Sequence, residues 1–123
     1  MPDSTAAVML KANGQFLGID YTWAYEGEPQ QGLLIIGADK DSDAAQLVWT
    51  DSWHLSHKFM VCDGNLNDDG AVDVKGHYAV HGHPDWGWRT QIVPNGASFK
   101  LMMFNVSPDG EEALTVETDF VRA

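Results

Sequence analysis

Apolar and polar positions along the chain alternate with a period of two in short stretches, and none sustains the apolar period of an amphipathic helix. In the clearest case Leu17, Ile19, Tyr21, Trp23 and Tyr25 share one face of a strand, opposite Gly18, Asp20, Thr22, Ala24 and Glu26. Gly32 to Ala38, GLLIIGA, is a continuous apolar run that fits a strand covered on both sides. Between Ala71 and His81, Val72, Val74, Tyr78 and Val80 oppose Asp73, Lys75, His77, Ala79 and His81, as in a strand with one wet face. The last stretch, Glu112 to Arg122, alternates Leu114, Val116, Thr118 and Phe120. Shorter apolar segments lie at Ala6 to Lys11, Lys58 to Cys62, Trp86 to Val93 and Ser98 to Val106.

Turn signals separate these segments: Asn13-Gly14, Gly27-Glu28-Pro29, Asp39 to Asp43, Asp63-Gly64, Asn67 to Gly70, His83-Pro84-Asp85, Pro94-Asn95-Gly96 and Pro108-Asp109-Gly110. The expected fold is all-β, an antiparallel up-and-down meander of about eight strands in a single domain. Such a meander closes most economically as a barrel or a strongly curled sheet, because closure removes exposed strand edges.

Gln46 to His54, QLVWTDSWH, departs from a plain core strand. Extended, it sets Leu47, Trp49, Asp51 and Trp53 on one side and Val48, Thr50, Ser52 and His54 on the other. A carboxylate between two indoles either orients a ligand or anchors a neighbouring Arg or Lys.

Charge narrows the partners. Eighteen acidic residues against seven Lys plus Arg give a formal net charge of -11, so phosphate backbones and anionic membrane surfaces repel the chain on average, and neither nucleic acid nor a membrane is an expected partner. The lone cysteine, Cys62, sits in the apolar run FMVC, where a buried, inert thiol is expected. The N-terminal residues MPDSTAAVMLKANG lack the basic and apolar regions of a secretory signal, and no apolar run approaches a membrane span, so the expected location is the cytoplasm.

Motifs for metals, cofactors and catalysis are weak. Asp39, Asp41 and Asp43 open like a calcium loop, but Ala44 and Thr50 stand where Gly and a bidentate Glu belong; Asn65, Asn67, Asp69 and Gly70 lead to Gly76 at the last ligand position. Both read as polar turns. His77, His81 and His83 share a strand face with Asp73 and Lys75, which marks it as wet, and with His54 and His57 they form no zinc spacing. No metal and no cofactor are expected. No nucleophile elbow or phosphate loop appears, and Ser52 beside His54 lacks a third partner. A small hydrolase or isomerase using Asp51 or His54 as acid or base stands as the enzymatic alternative.

Aromatic residues are the richest feature. Trp23, Trp49, Trp53, Trp86 and Trp88, with Tyr21, Tyr25, Tyr78 and Phe104, either fill a barrel or line a pocket for a flat apolar molecule. The leading expectation is non-enzymatic binding of a small hydrophobic or aromatic ligand, with Trp23, Trp49, Trp53, Trp88 and Met103 as walls and Asp51 and Arg89 orienting its polar end.

GQFLGIDY, YEGEPQQGLLIIGAD, the W-x-D-S phrase at Trp49, Asp51 and Ser52, the G-x-Y at Gly76 to Tyr78, the aromatic-Arg-Thr at Trp88 to Thr90 and the closing MFNVSPDGEE occur in an order that resembles a family of small bacterial lipocalin-like proteins of unknown function. The resemblance runs from about Asn13 onward and implies a calycin-type antiparallel barrel, but no catalytic residues. Members of that family usually begin with a G-x-W-x-G strand that this chain lacks. A barrel short of a strand closes with fewer strands, leaves a gap or pairs with a second copy, so a homodimer is expected, the alternative being an interaction module without a ligand.

Overall fold

The computed structural model describes residues 5–12, 16–39, 41–52, 55–96 and 98–120. They form nine strands and no helix: β1 (Thr5–Lys11), β2 (Phe16–Tyr25), β3 (Glu28–Ala38), β4 (Ala44–Asp51), β5 (Leu55–Leu66), β6 (Val72–Val80), β7 (His83–Asn95), β8 (Ser98–Val106) and β9 (Glu112–Phe120). Each pairs antiparallel with the next in a single sheet that curls into a nearly closed barrel. All nine segments named in the sequence carry strands, one more than the expected total of about eight, and the short first segment pairs with β2 along its whole length, from Thr5 opposite Thr22 to Lys11 opposite Phe16. Among the described residues β1 and β9 are not paired with each other, which leaves one seam.

Alternation sets the core. Ile19, Tyr21, Leu34, Ile36, Leu47, Trp49, Met60, Cys62, Val72, Val74, Trp88, Ile92, Leu101, Met103 and Phe120 are buried in one cluster inside the barrel. Stacking across the lumen shows how tightly the sheet curls. Trp49 on β4 lies parallel to Trp88 on β7, with ring centroids 5.3 Å apart and an interplanar angle of 8°.

Three local expectations are corrected. The β2–β3 hairpin turns on Glu26 and Gly27, with φ of 50° and 81°, so β3 already starts at Glu28 and Pro29 lies in the strand. Asp63-Gly64 is not a turn: β5 runs through it to Leu66, because a Cβ on Gly64 would lie 2.0 Å from the Asp73 carbonyl of β6. The third concerns β9. Val116 pairs with Met103 and Leu114 with Phe104, so Thr115 is an extra residue and the register shifts there. Leu114, which in sequence alternates with Val116, Thr118 and Phe120, is turned out of their face and is 51% exposed.

Candidate functional site

The inner face of β2 runs through two chemically different zones. Leu17 and Ile19 belong to an apolar cavity at one end of the barrel, whereas Tyr21 and Trp23 belong to a polar cluster at the other.

The polar cluster follows from one row of residues. Tyr21 pairs with Gly32, and Gly32 with Asp51, so the three lie side by side across β2, β3 and β4. The outer two strands of such a row stand about 9–10 Å apart, and an ordinary side chain in the middle would keep their groups from meeting. A Cβ on Gly32 would come within 2.0 Å of the Tyr21 ring, which therefore lies across the glycine. From there the phenol donates to Asp51 Oδ2 at 2.8 Å, and the Trp23 indole N–H donates to the same oxygen at 3.2 Å. The Trp49 indole donates in turn to the Tyr21 oxygen at 2.7 Å. Asp51 is only 3% exposed, and a buried carboxylate needs such donors. Burial, above all, pushes the Tyr21 phenol well above its ordinary value; the Trp49 bond works against this, and the charge of Asp51 works with it.

The apolar zone lies at the other end of the strands. A cavity of about 460 Å³ opens there, with Leu17, Ile19, Ile36, Val72, Ile92 and Phe99 inside it. Its lining also includes Val8, Leu10 and Phe16, which are 49%, 71% and 42% exposed and form an apolar lip. Large aliphatic side chains left in solvent beside a concave apolar surface are the usual signature of a binding mouth. Among the described residues of the lining no side chain carries a charge. A shallower depression of about 280 Å³ lies around Asp20, Gln31, Leu33, Thr50 and Ser52 and also touches Gly32 and Asp51.

The expected site residues divide between these places. Trp49, Trp88 and Met103 are buried in the middle of the lumen, Asp51 is buried beside them, and Trp23 is half-buried at the polar cluster. None of the five lines the cavity. Trp53 and His54 lie outside the described residues. Arg89 is corrected: it points away from the lumen, since Trp88, Thr90 and Ile92 take the inner positions of β7. On the outer face its Nε and Nη2 bond both oxygens of Asp73 at 2.9 and 2.6 Å, its Nη1 bonds Glu112 at 2.9 Å, and its guanidinium carbon lies 5.7 Å from the Phe104 ring centroid. It cannot share a ligand with Asp51. Sequence reading missed Val8, Leu10 and Phe16, whose signal was an apolar run on a short edge strand and its partner.

The Arg89 fork holds the Asp73 carboxyl below its ordinary range, chiefly through the hydrogen bonds from Arg89, and the charge acts the same way. A carboxyl depressed in the folded state stabilises at neutral pH, and that stability is lost as pH falls below its unfolded value of 3.8 and through the folded one. Arg89→Met should therefore lower stability by about 1 kcal/mol at neutral pH. In thermal melts its deficit should hold steady down to about pH 5 and shrink below about pH 4. A deficit unchanged into strong acid would rule the ion pair out as its source.

Other chemistry is absent among the described residues. They contain no group of three or more His, Cys, Asp or Glu able to hold a metal ion. Asp39 Oδ1 accepts from the Asp41 amide at 2.9 Å and Asp69 Oδ1 from the Ala71 amide at 3.2 Å, so these carboxylates cap their own turns. His77, His81 and His83 are exposed. Cys62 is fully buried, and desolvation, with the charge of Asp63, pushes its thiol up to about 12. Among the described residues no helix is long and apolar enough to cross a membrane.

No curated protein and no solved structure is similar enough to this chain to count as a match. The family whose sequence pattern the chain fits covers residues 3–122, nearly all of the barrel and both zones of its lumen, and on that match the chain belongs to the family of proteins of unknown function designated DUF1579.

Proposed function

We propose that this barrel is a non-enzymatic carrier of a small apolar molecule, working as lipocalin-like, calycin-type barrels do, with the ligand held in the apolar cavity at the β1–β2 lip. The observation that carries this reading is the cavity itself: about 460 Å³, uncharged, and rimmed by solvent-exposed Val8, Leu10 and Phe16. Its volume lies within the range of about 300–1,000 Å³ usual for small-molecule sites. The stacked indoles and Met103 support the site as packing deeper in the lumen, and Asp51 and Tyr21 fasten the opposite end. Among the described residues the lining itself holds no acid or base, which favours binding over the enzymatic alternative.

The test uses N-phenyl-1-naphthylamine, an uncharged probe that brightens on leaving water. The protein should bind it saturably with one site. Leu17→Trp, which places an indole in the cavity, should weaken binding about tenfold or more without lowering the melting temperature. Ala38→Trp, at the mouth, should act the same way from a position that is already exposed. Absence of saturable binding, or unchanged binding in both variants, would sink the proposal. The edges of β1 and β9, which among the described residues pair with no further strand at the seam, favour a second reading, in which copies of the chain pair as a homodimer. Native mass spectrometry of freshly purified protein reports subunit number and any co-purified small molecule together.

A further inference from the structure

The cavity is apolar, but the loops at its mouth are not. The β3–β4 connection carries Asp39, Asp41 and Asp43, and the β5–β6 connection carries Asp68 and Asp69, against Lys40 as the single basic residue in the sequence of these two loops. Ala38 and Gly70, which flank them, belong to the cavity lining, so the two loops sit at its rim. All five carboxylates are exposed.

From this charge complementarity, and resting on the carrier reading above, we propose that the cavity selects cationic amphiphiles: an apolar tail inside and an ammonium-type head at the aspartate rim. Three observations converge. Among the described residues of the lining, an anionic head such as a fatty-acid carboxylate would find no cationic side chain. Arg89, the residue best suited to hold a carboxylate, is on the outer face and already bonded to Asp73 and Glu112. Phe16 and Phe99 also lie in the lining, and their ring faces attract a cation that has shed part of its water. The net charge of -11 adds a long-range field of the same sign.

The experiment is displacement of bound N-phenyl-1-naphthylamine by three molecules with the same dodecyl tail and different heads: dodecyltrimethylammonium, dodecanol and laurate, all below their micellar concentrations. The ammonium compound should displace the probe at about one tenth of the concentration that laurate requires, with dodecanol between them. Added salt should narrow the gap, because exposed charges are screened within a Debye length of about 8 Å at physiological ionic strength. Asp39→Asn, Asp41→Asn, Asp68→Asn and Asp69→Asn combined should narrow it while leaving probe affinity unchanged. Equal displacement by all three, or stronger displacement by laurate, overturns the charge selectivity and leaves the carrier reading standing. Failure of the probe to bind overturns both.

Discussion

Gly32→Ala is expected to destabilise the protein by about 2–4 kcal/mol, a loss of roughly 10 °C in melting temperature, which is large for the addition of one methyl group. The new Cβ would stand 2.0 Å from Cζ and 2.2 Å from Oη of Tyr21, far inside van der Waals contact distance of both. The β2–β3–β4 ladder fixes the backbone on either side, so the ring must leave. Its departure breaks the 2.8 Å bond to Asp51 and removes the acceptor of the 2.7 Å bond from Trp49, so two buried polar groups lose a partner. The mechanism predicts a particular coupling. In a Tyr21→Leu background, where no ring crosses the glycine, Gly32→Ala should cost far less, and the cycle should show an interaction of about 1–3 kcal/mol. Equal cost in both backgrounds would mean that the clash is not with Tyr21.

This row shows which part of the molecule was legible in the sequence. Alternation correctly placed Tyr21 and Trp23 on one face of β2, and Leu47, Trp49 and Asp51 on one face of β4, because a half-buried strand writes its burial pattern with period two. Alternation does not say which residues on neighbouring strands stand opposite one another. The register that puts Gly32 between Tyr21 and Asp51 depends on where each hairpin turns, and the β2–β3 turn lies at Glu26-Gly27, earlier than the Gly-Glu-Pro signal suggested.

Arg89 was misplaced for a related reason: WGWRT alternates as well as any strand, but two tryptophans two positions apart share the inner face and leave the arginine outside. Leu114 followed the pattern until the extra residue at Thr115 turned it out, and nothing in EALTVETDF marks a bulge. The cavity was hidden for the opposite reason. Val8, Leu10 and Phe16 look like ordinary strand residues, and only the curl of the sheet, which brings β1 near Phe99 of β8, gives them a concave surface to rim.

Asp51 separates a structural role from a ligand-binding one. Asp51→Ala should cost about 2–4 kcal/mol, because the Tyr21 hydroxyl and the Trp23 indole each lose a buried acceptor in a place where water does not reach freely. The same variant should bind N-phenyl-1-naphthylamine with unchanged affinity at temperatures where it is folded, because Asp51 is not part of the cavity lining. Residues that act on a ligand commonly carry unfavourable local interactions, so their removal tends to leave stability intact or raise it while function is lost. The two roles therefore predict opposite pairs of results. Lost stability with retained binding marks Asp51 as the fastening of the polar cluster and the aspartates at the cavity mouth as the charges that meet a ligand. Retained stability with lost binding would move the site to Trp49, Asp51 and Trp88, and the aromatic lumen would then be the pocket itself.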